Sequence, residues 1–201
     1  MFAPTVWIVD DITTLKSLSA AEFERQWGNS LYGEVDLRIG DYRWEALMVP
    51  ETWGNPPQGH ENLRCWIEAF LDAALIMAKQ GDYAAFWQID MVGIWYVFER
   101  HEQTVQISVA DDTGITINDG QFDMTRGLQD TFLHSSSDAL RKRDGCMAEV
   151  SVTEFCNHVL SVSEEFLLDM CFINESLKDS KLFQKLEGMI AELKRTMGKV
   201  M

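Results

Sequence analysis

A run of acidic side chains lies between Glu102 and Asp138. Seven carboxylates occur there against one basic residue, Arg126, which gives this acidic segment a net charge of −6. Grouped carboxylates can coordinate a cation, share a proton as an acid–base pair, or attract a basic partner. The residues that form the candidate partner-binding patch are Asp111, Asp112, Asp119, Asp123 and Asp130.

The triplet Asp112-Thr113-Gly114 has the residue types that aspartic proteases carry on a tight turn. Their chemistry needs two such aspartates that share a proton. This chain has one triplet, and a charged residue, Asp111, precedes it where that family usually has apolar residues. The stretch "DDTGITINDG" also lacks the alternating aspartates of a calcium loop. The acidic segment therefore predicts either a solvated loop or a docking surface for a basic protein.

The other reactive side chains do not form a catalytic or metal-binding pattern. Cys156 and His158 are two positions apart in a helical stretch, so they point in different directions and cannot pair as nucleophile and base. The four cysteines contain no Cys-x-x-Cys pair, and neither glycine-rich phosphate loop is present. We therefore expect a protein that is not an enzyme, with no catalytic residues, no cofactor and no metal.

Length and composition predict one folded domain. The chain has 201 residues, 46% of them hydrophobic and 24% charged, and its formal net charge is −15. A field of this sign repels nucleic acid and anionic lipid and speeds the encounter with basic partners. The start "MFAPTVWIVDD" lacks the basic region of a signal peptide, and no apolar run is long enough to span a bilayer. We expect a cytoplasmic protein with reduced thiols.

The first part of the chain alternates in the manner of β-strands. Thr5 to Val9 predicts a short strand, and a small helix follows, capped by Ser19 and closed near Gly28. A hairpin is predicted about the Gly40-Asp41 turn. The residues from Trp53 to Gly59 predict a loop, because two prolines and two glycines oppose both helix and strand.

A long helix and a three-stranded meander are predicted next. Apolar residues repeat at three- and four-residue steps from Asn62 to Gln80, and Gly81 is placed to end the helix. The strands of the meander are predicted at Phe86–Asp90, Gly93–Arg100 and Thr104–Ala110, with a short edge strand at Gly114–Ile117. In the middle strand Trp95 and Tyr96 must point to opposite faces, so both are expected in a core rather than in one aromatic cage.

The remainder is predicted to be helical. The stretch Asp138–Gly145 is interpreted as a helix end, with basic residues near its negative pole. Ser151 and Glu154 predict the start of the next helix, and a last one runs from about Lys181. The fold class is therefore α+β, with a mostly antiparallel sheet and a helical C-terminal third. We expect one domain over 1–201, sheet-rich over 1–120 and helical over 121–201.

The order of these elements resembles the small acidic immunity proteins of bacterial polymorphic-toxin and contact-dependent inhibition systems. The resemblance rests on the aromatic-rich strand "WQIDMVGIWYVFER", the acidic loop after the meander and the helix start "VSVTEFCNHVLSVSEEFL", and it covers Asn62 to Asp112 and Ser151 to Leu193. It implies a protein that binds a cognate toxin domain and covers its active site. Two alternatives stay open, a structural or adaptor module and an enzyme whose site is assembled from distant residues.

Overall fold

The computed structural model describes residues 1–9, 11–28, 30–45, 61–87, 93–118, 121–123, 128 and 130–200, and the predicted loop Trp53–Gly59 lies outside them. The fold is α+β. Its elements in chain order are β1 (Phe2–Ile8), α1 (Ile12–Leu15), α2 (Ala20–Trp27), β2 (Tyr32–Ile39), β3 (Tyr42–Glu45), β4 (Glu61–Asn62), α3 (Leu63–Ala78), β5 (Tyr83–Trp87), β6 (Ile94–His101), β7 (Thr104–Asp112), β8 (Thr116–Asn118), β9 (Gln121–Asp123), β10 (Phe132–Leu133), β11 (Leu140–Ser151), α4 (Val152–Ile173), a 3₁₀ helix (Glu175–Asp179) and α5 (Lys181–Val200).

The first sheet is antiparallel and is centred on β2. This strand pairs with β1 along its length, and also with β3 and β4. The predicted turn at Gly40-Asp41 is confirmed. Gly40 has a φ of 60°, and a Cβ there would lie 2.2 Å from the Met147 carbonyl oxygen of β11, so glycine is required on both counts. The predicted cap of α2 is also confirmed, because the Ser19 hydroxyl accepts from the Glu22 amide at 3.3 Å.

The second sheet has five strands in the order β10-β5-β6-β7-β11, and all its pairs are antiparallel. Its centre, β5-β6-β7, is a meander as predicted. The first strand spans Tyr83–Trp87 rather than the predicted Phe86–Asp90, whose last three residues lie outside the described ranges. The third, two-stranded sheet consists of β8 and β9. It contains the short strand expected near Gly114–Ile117, although that strand pairs with β9 rather than extending the meander.

The prediction of a helix end at Asp138–Gly145 is wrong. These residues enter β11, which pairs with β7 from Leu140 to Ser151 and carries an irregularity between Lys142 and Met147. Gly145 lies inside it with a φ of 74°. Pairing with a neighbouring strand overrides the local helical signal, and the helical part consequently begins at Val152 rather than at 121.

The three long helices form where the apolar periodicity predicted them. Helix α3 ends at Ala78, with Gln80 in the left-handed region just before Gly81. The apolar residues that predict this helix are all buried: Leu63, Trp66, Ile67, Phe70, Ala74 and Met77. The Ser151 hydroxyl accepts from the Glu154 amide at 3.1 Å and caps α4. Helix α3 packs on β5, and α4 packs on β1. Helix α5 packs on α3 and on α4.

Strand β6 is buried on both faces. Ile94, Tyr96 and Phe98 face the main core under the helices, while Trp95 and Val97 face the opposite side. The second side is the loop-facing cluster, formed by Ala85, Trp95, Val97 and Ala110 and covered in part by Leu128, Leu133 and Leu140. Trp95 is 1% exposed and Tyr96 is fully buried, so the prediction that both serve cores on opposite faces is confirmed.

Phe98 contacts rings from both main sheets and from the helices. Its centroid lies 6.4 Å from that of Phe2 on β1, 5.6 Å from Phe86 on β5 and 5.2 Å from Phe155 on α4. The ring therefore joins both sheets to the helical layer.

Replacement of this ring should weaken the whole fold. We expect Phe98→Ala to lower the free energy of unfolding by about 3–5 kcal/mol, because a large ring is removed from a fully buried site. Urea denaturation followed by circular dichroism measures the change. The matched control is Phe172→Ala on α4, whose ring is 91% exposed and whose loss should cost less than about 0.5 kcal/mol. Equal effects of the two substitutions would contradict the assignment.

Candidate functional site

The structure places the five predicted acidic residues in different environments. Asp111 and Asp112 end β7, and Asp130 is exposed in the connection to β10. Asp123 lies on β9, where the backbone alone is described, and Asp119 lies outside the described residues.

Asp112 is not a surface charge, which corrects its assignment to the docking patch. It is 5% exposed, and its two carboxylate oxygens accept from the backbone amides of Gly114 at 2.8 Å and Leu128 at 2.7 Å. Leu128 packs against the loop-facing cluster that contains Trp95. Asp112 therefore anchors the covering loop, since a buried carboxylate needs such donors.

Asp111 is reachable by solvent but already paired. Its carboxylate accepts hydrogen bonds from Nε and Nη2 of Arg143. The shorter of the two, from Nη2 to Oδ1, is 2.6 Å. One step along the sheet, Lys142 pairs with Glu99. The basic run of β11 thus neutralises one acid on the adjacent strand β7 and one on β6, the strand beyond it. The negative patch at this end of the sheet is therefore smaller than the charge count of the acidic segment predicted.

Cys156 and His158 point in different directions, as expected. The Cys156 thiol is buried and donates to the Ala74 carbonyl of α3 at 3.7 Å. The His158 ring lies 6.3 Å from Phe2, and its Nε2 is 3.8 Å from the Glu154 carboxylate. Burial raises the pKa of the Cys156 thiol to about 11, so it is a packing residue rather than a nucleophile.

A buried polar group lies between the two main sheets. The Glu61 carboxylate, 3% exposed, accepts from the Trp66 indole at 2.8 Å. Nearby, the hydroxyls of Tyr42 and Tyr96 are 3.4 Å apart. Burial is the main cause that raises the pKa of each tyrosine, so both are neutral hydrogen-bonding groups at ordinary pH. This group was not predicted, because its members are far apart in sequence.

An open cleft of about 370 Å³ is lined by residues of α3, of β5 and of the segment that contains β10. Aromatic side chains of Trp87 and Phe132 line it together with Glu68 and Asp72. Glu68 is paired with Arg64 and Lys185, each at 3.0 Å. Asp72 stands at the rim, and partial desolvation raises the pKa of its carboxyl group. Aromatic faces beside a carboxylate suit a cationic side chain, and this α3–β5 cleft is the arrangement that a lysine or arginine would fit.

Within the described ranges, no cluster of three or more histidine, cysteine, aspartate or glutamate side chains is arranged to bind a metal ion. The helices of the same part of the chain include none that is both long and apolar enough to cross a bilayer.

Comparisons of the chain with protein-family models, curated proteins and solved structures find no match.

Loss of the Asp112 carboxylate should loosen the covering loop. We expect Asp112→Ala to lower the free energy of unfolding by about 1–3 kcal/mol, because two amides lose their acceptor. Amide hydrogen exchange at Leu128 should accelerate in the same variant. Asp130→Ala, at an exposed position of the same connection, is the control and should leave both quantities close to the wild-type values. Unchanged exchange at Leu128 in Asp112→Ala would show that another contact holds the loop.

Cys156 should be the last cysteine to react with iodoacetamide. At about pH 8 roughly one Cys156 thiol in a thousand is ionised, and the thiol is also shielded by the packing of α3 on α4. Mass spectrometry of the alkylated peptides should show Cys146 modified in the native protein and Cys156 modified only in urea. Equal rates in the native state would contradict the buried assignment.

Proposed function

We propose that this chain is a non-catalytic protein-binding inhibitor, an immunity protein that binds and neutralises a cognate bacterial toxin domain in the cytoplasm. The toxin domain would be a basic protein, and the inhibitor would bind it through a negatively charged surface. Resemblance in the order and character of the elements supports the class, and the charge on the surface supports the kind of partner.

The observation that carries the proposal is how the charges are paired. Ten basic side chains of the described chain are already in ion pairs: Arg38, Arg43, Arg64, Lys79, Lys142, Arg143, Lys178, Lys181, Lys185 and Lys194. In the same part of the chain, Asp130, Asp138 and Asp169 are exposed carboxylates without such a partner. The negative charge that remains is therefore available to a basic protein.

The α3–β5 cleft supports the same interpretation. Its carboxylate Asp72 and its aromatic side chains would accept a lysine or arginine from the partner. Within the described residues, Asp72 has no second acid or base at hydrogen-bond distance. This arrangement fits ion pairing better than proton transfer, which needs positioned partners.

The proposal is tested with the protein encoded by the reading frame immediately upstream as partner. If that product arrests growth, co-expression of this chain should restore growth. The two purified proteins should associate at a rate that falls as salt rises from about 0.05 M to about 0.5 M, because salt screens the attraction. Binding without rescue of growth would assign an adaptor role instead.

Charge reversal at exposed acidic residues should slow the association of the two proteins. We expect Asp130→Lys combined with Asp138→Lys to slow association severalfold with little effect on folding, since both residues are exposed. Arg25→Glu on α2, also exposed, changes charge in the opposite sense and should not slow association. If the association rate changes neither with salt nor with these substitutions, the electrostatic part of the proposal is wrong.

A further inference from the structure

Helix α4 exposes two large apolar side chains that its own fold does not use. Leu168 is 67% exposed and Phe172 is 91% exposed, whereas Phe166 and Met170 on the same helix are buried. Leu168 and Phe172 are four residues apart, so they lie on one face in adjacent turns. Side chains of this size so fully in water are typical of a surface that meets another molecule.

A groove runs beside this face, between α4 and α5. It encloses about 600 Å³. Its apolar lining residues are Leu167, Leu168, Cys171, Phe183, Ile190 and Ala191. Two ion pairs lie along it, Lys178 with Glu175 at 3.1 Å and Lys194 with Glu164 at 2.5 Å. Both lysines of this α4–α5 groove are therefore already neutralised.

The charge left on the groove and on the α4 face is negative. Glu165 and Asp169 share a stripe with Leu168 and Phe172, and Glu187 lines the groove. Within the described chain these three carboxylates have no basic side chain within 4.0 Å. Partial desolvation, and next the charge of Glu165, raise the pKa of the Asp169 carboxyl group. A cation placed there would relieve the repulsion between the two carboxylates.

The charges decide which occupant fits. A second copy of this chain would place its own Glu165, Asp169 and Glu187 beside the same three carboxylates. The repulsion between these like charges would weaken the association. An anionic lipid surface is repelled for the same reason. A basic helix with one apolar face can bury Leu168 and Phe172 and also place lysine or arginine beside Glu165, Asp169 and Glu187.

We propose that the α4–α5 groove, with Leu168 and Phe172 at its edge, is the docking surface for an amphipathic lysine- or arginine-rich helix of the partner. This assignment rests on the proposed binding function and adds to it the place of contact and the form of the bound segment. Apolar burial supplies the affinity, and the three carboxylates select a basic segment over an acidic one.

The experiment uses the full chain and synthetic helical peptides. One peptide repeats leucine and lysine in an amphipathic pattern, a second replaces every lysine with glutamate, and a third replaces every leucine with glycine. We expect the full chain to bind the leucine–lysine peptide and neither of the others. Bound peptide should also slow alkylation of Cys171, which lines the groove, and leave Cys146 on β11 unaffected.

Variants locate the contact. Leu168→Ser with Phe172→Ser should weaken binding by about tenfold or more, because exposed anchors are removed. Glu165→Lys with Asp169→Lys should weaken it comparably. The matched controls are Trp7→Ser, which removes another exposed apolar side chain, and Glu149→Lys, which reverses an exposed charge on β11. Both controls should bind as the wild type does, and circular dichroism verifies that every variant is folded.

Three results would overturn the assignment. The first is peptide binding that survives both groove variants, with Cys171 as reactive as in the free protein. The second is equal binding of the lysine and glutamate peptides. The third is a wild-type dimer that Leu168→Ser with Phe172→Ser converts to monomer, which would place a second copy in the groove.

Failure of the assignment is distinguishable from failure of the inhibitor function. If the groove variants still neutralise the upstream gene product, the inhibitor stands and the groove is excluded as its contact. The leucine–lysine peptide could instead protect Cys171 while co-expression fails to restore growth. This result would support the docking role of the α4–α5 groove and contradict the inhibitor function.

Discussion

Burial of β6 on both faces is the constraint on which the rest of the structure depends. A strand without a wet face needs two separate covers. The helices and β1 supply the first through the rings around Phe98. Leu128, together with Leu133 of β10, supplies part of the second, over Trp95. The second cover contains few apolar side chains, so the hydrogen bond from the Leu128 amide to Asp112 carries part of its stability. A residue that looks like a charged surface group is thereby part of the fold.

Basic residues of α5 also contribute to the fold, because they form ion pairs with neighbouring helices. Lys181, Lys185 and Lys194 of α5 pair with acids on α2, α3 and α4, and each pair joins α5 to a different neighbour. Exposed pairs of this kind contribute little stability individually. Their larger effect is on the surface, because each pair neutralises one base and one acid and leaves the excess of acids in the chain uncompensated.

Local signals predicted the parts of the fold that local physics controls. The caps at Ser19 and Ser151, the turn at Gly40 and the phase of Trp95 and Tyr96 depend on neighbours a few residues away. Strand β11 was misinterpreted because its basic start looks like a helix end. The alternation of Cys146, Ala148 and Val150, which turn inward while Met147 and Glu149 stay exposed, could have revealed it.

The candidate site was less predictable because it depends on register. Pairing of Asp111 with Arg143 requires β11 to lie beside β7 with its irregularity at the right place, and no local pattern encodes that. Periodicity identified α4 as amphipathic but did not show that Leu168 and Phe172 lie outside the buried face. That outcome depends on where α5 packs.

Contacts that join β1 and the end of α1 to helix α4 and its C-terminal cap have a consequence for synthesis. The rings of Phe2 and Phe155 are 5.3 Å apart, and the Asn174 side-chain amide donates to the carbonyls of Leu15 at 2.8 Å and Leu18 at 2.6 Å. Strand β1 is therefore synthesised long before α4, the helix that packs on it. The apolar face of β1 stays exposed until α4 has been made. Folding of this part therefore comes after the synthesis of α4. A nascent fragment that stops before α5 has no formed α4–α5 groove, so the groove exists only once both helices have been made.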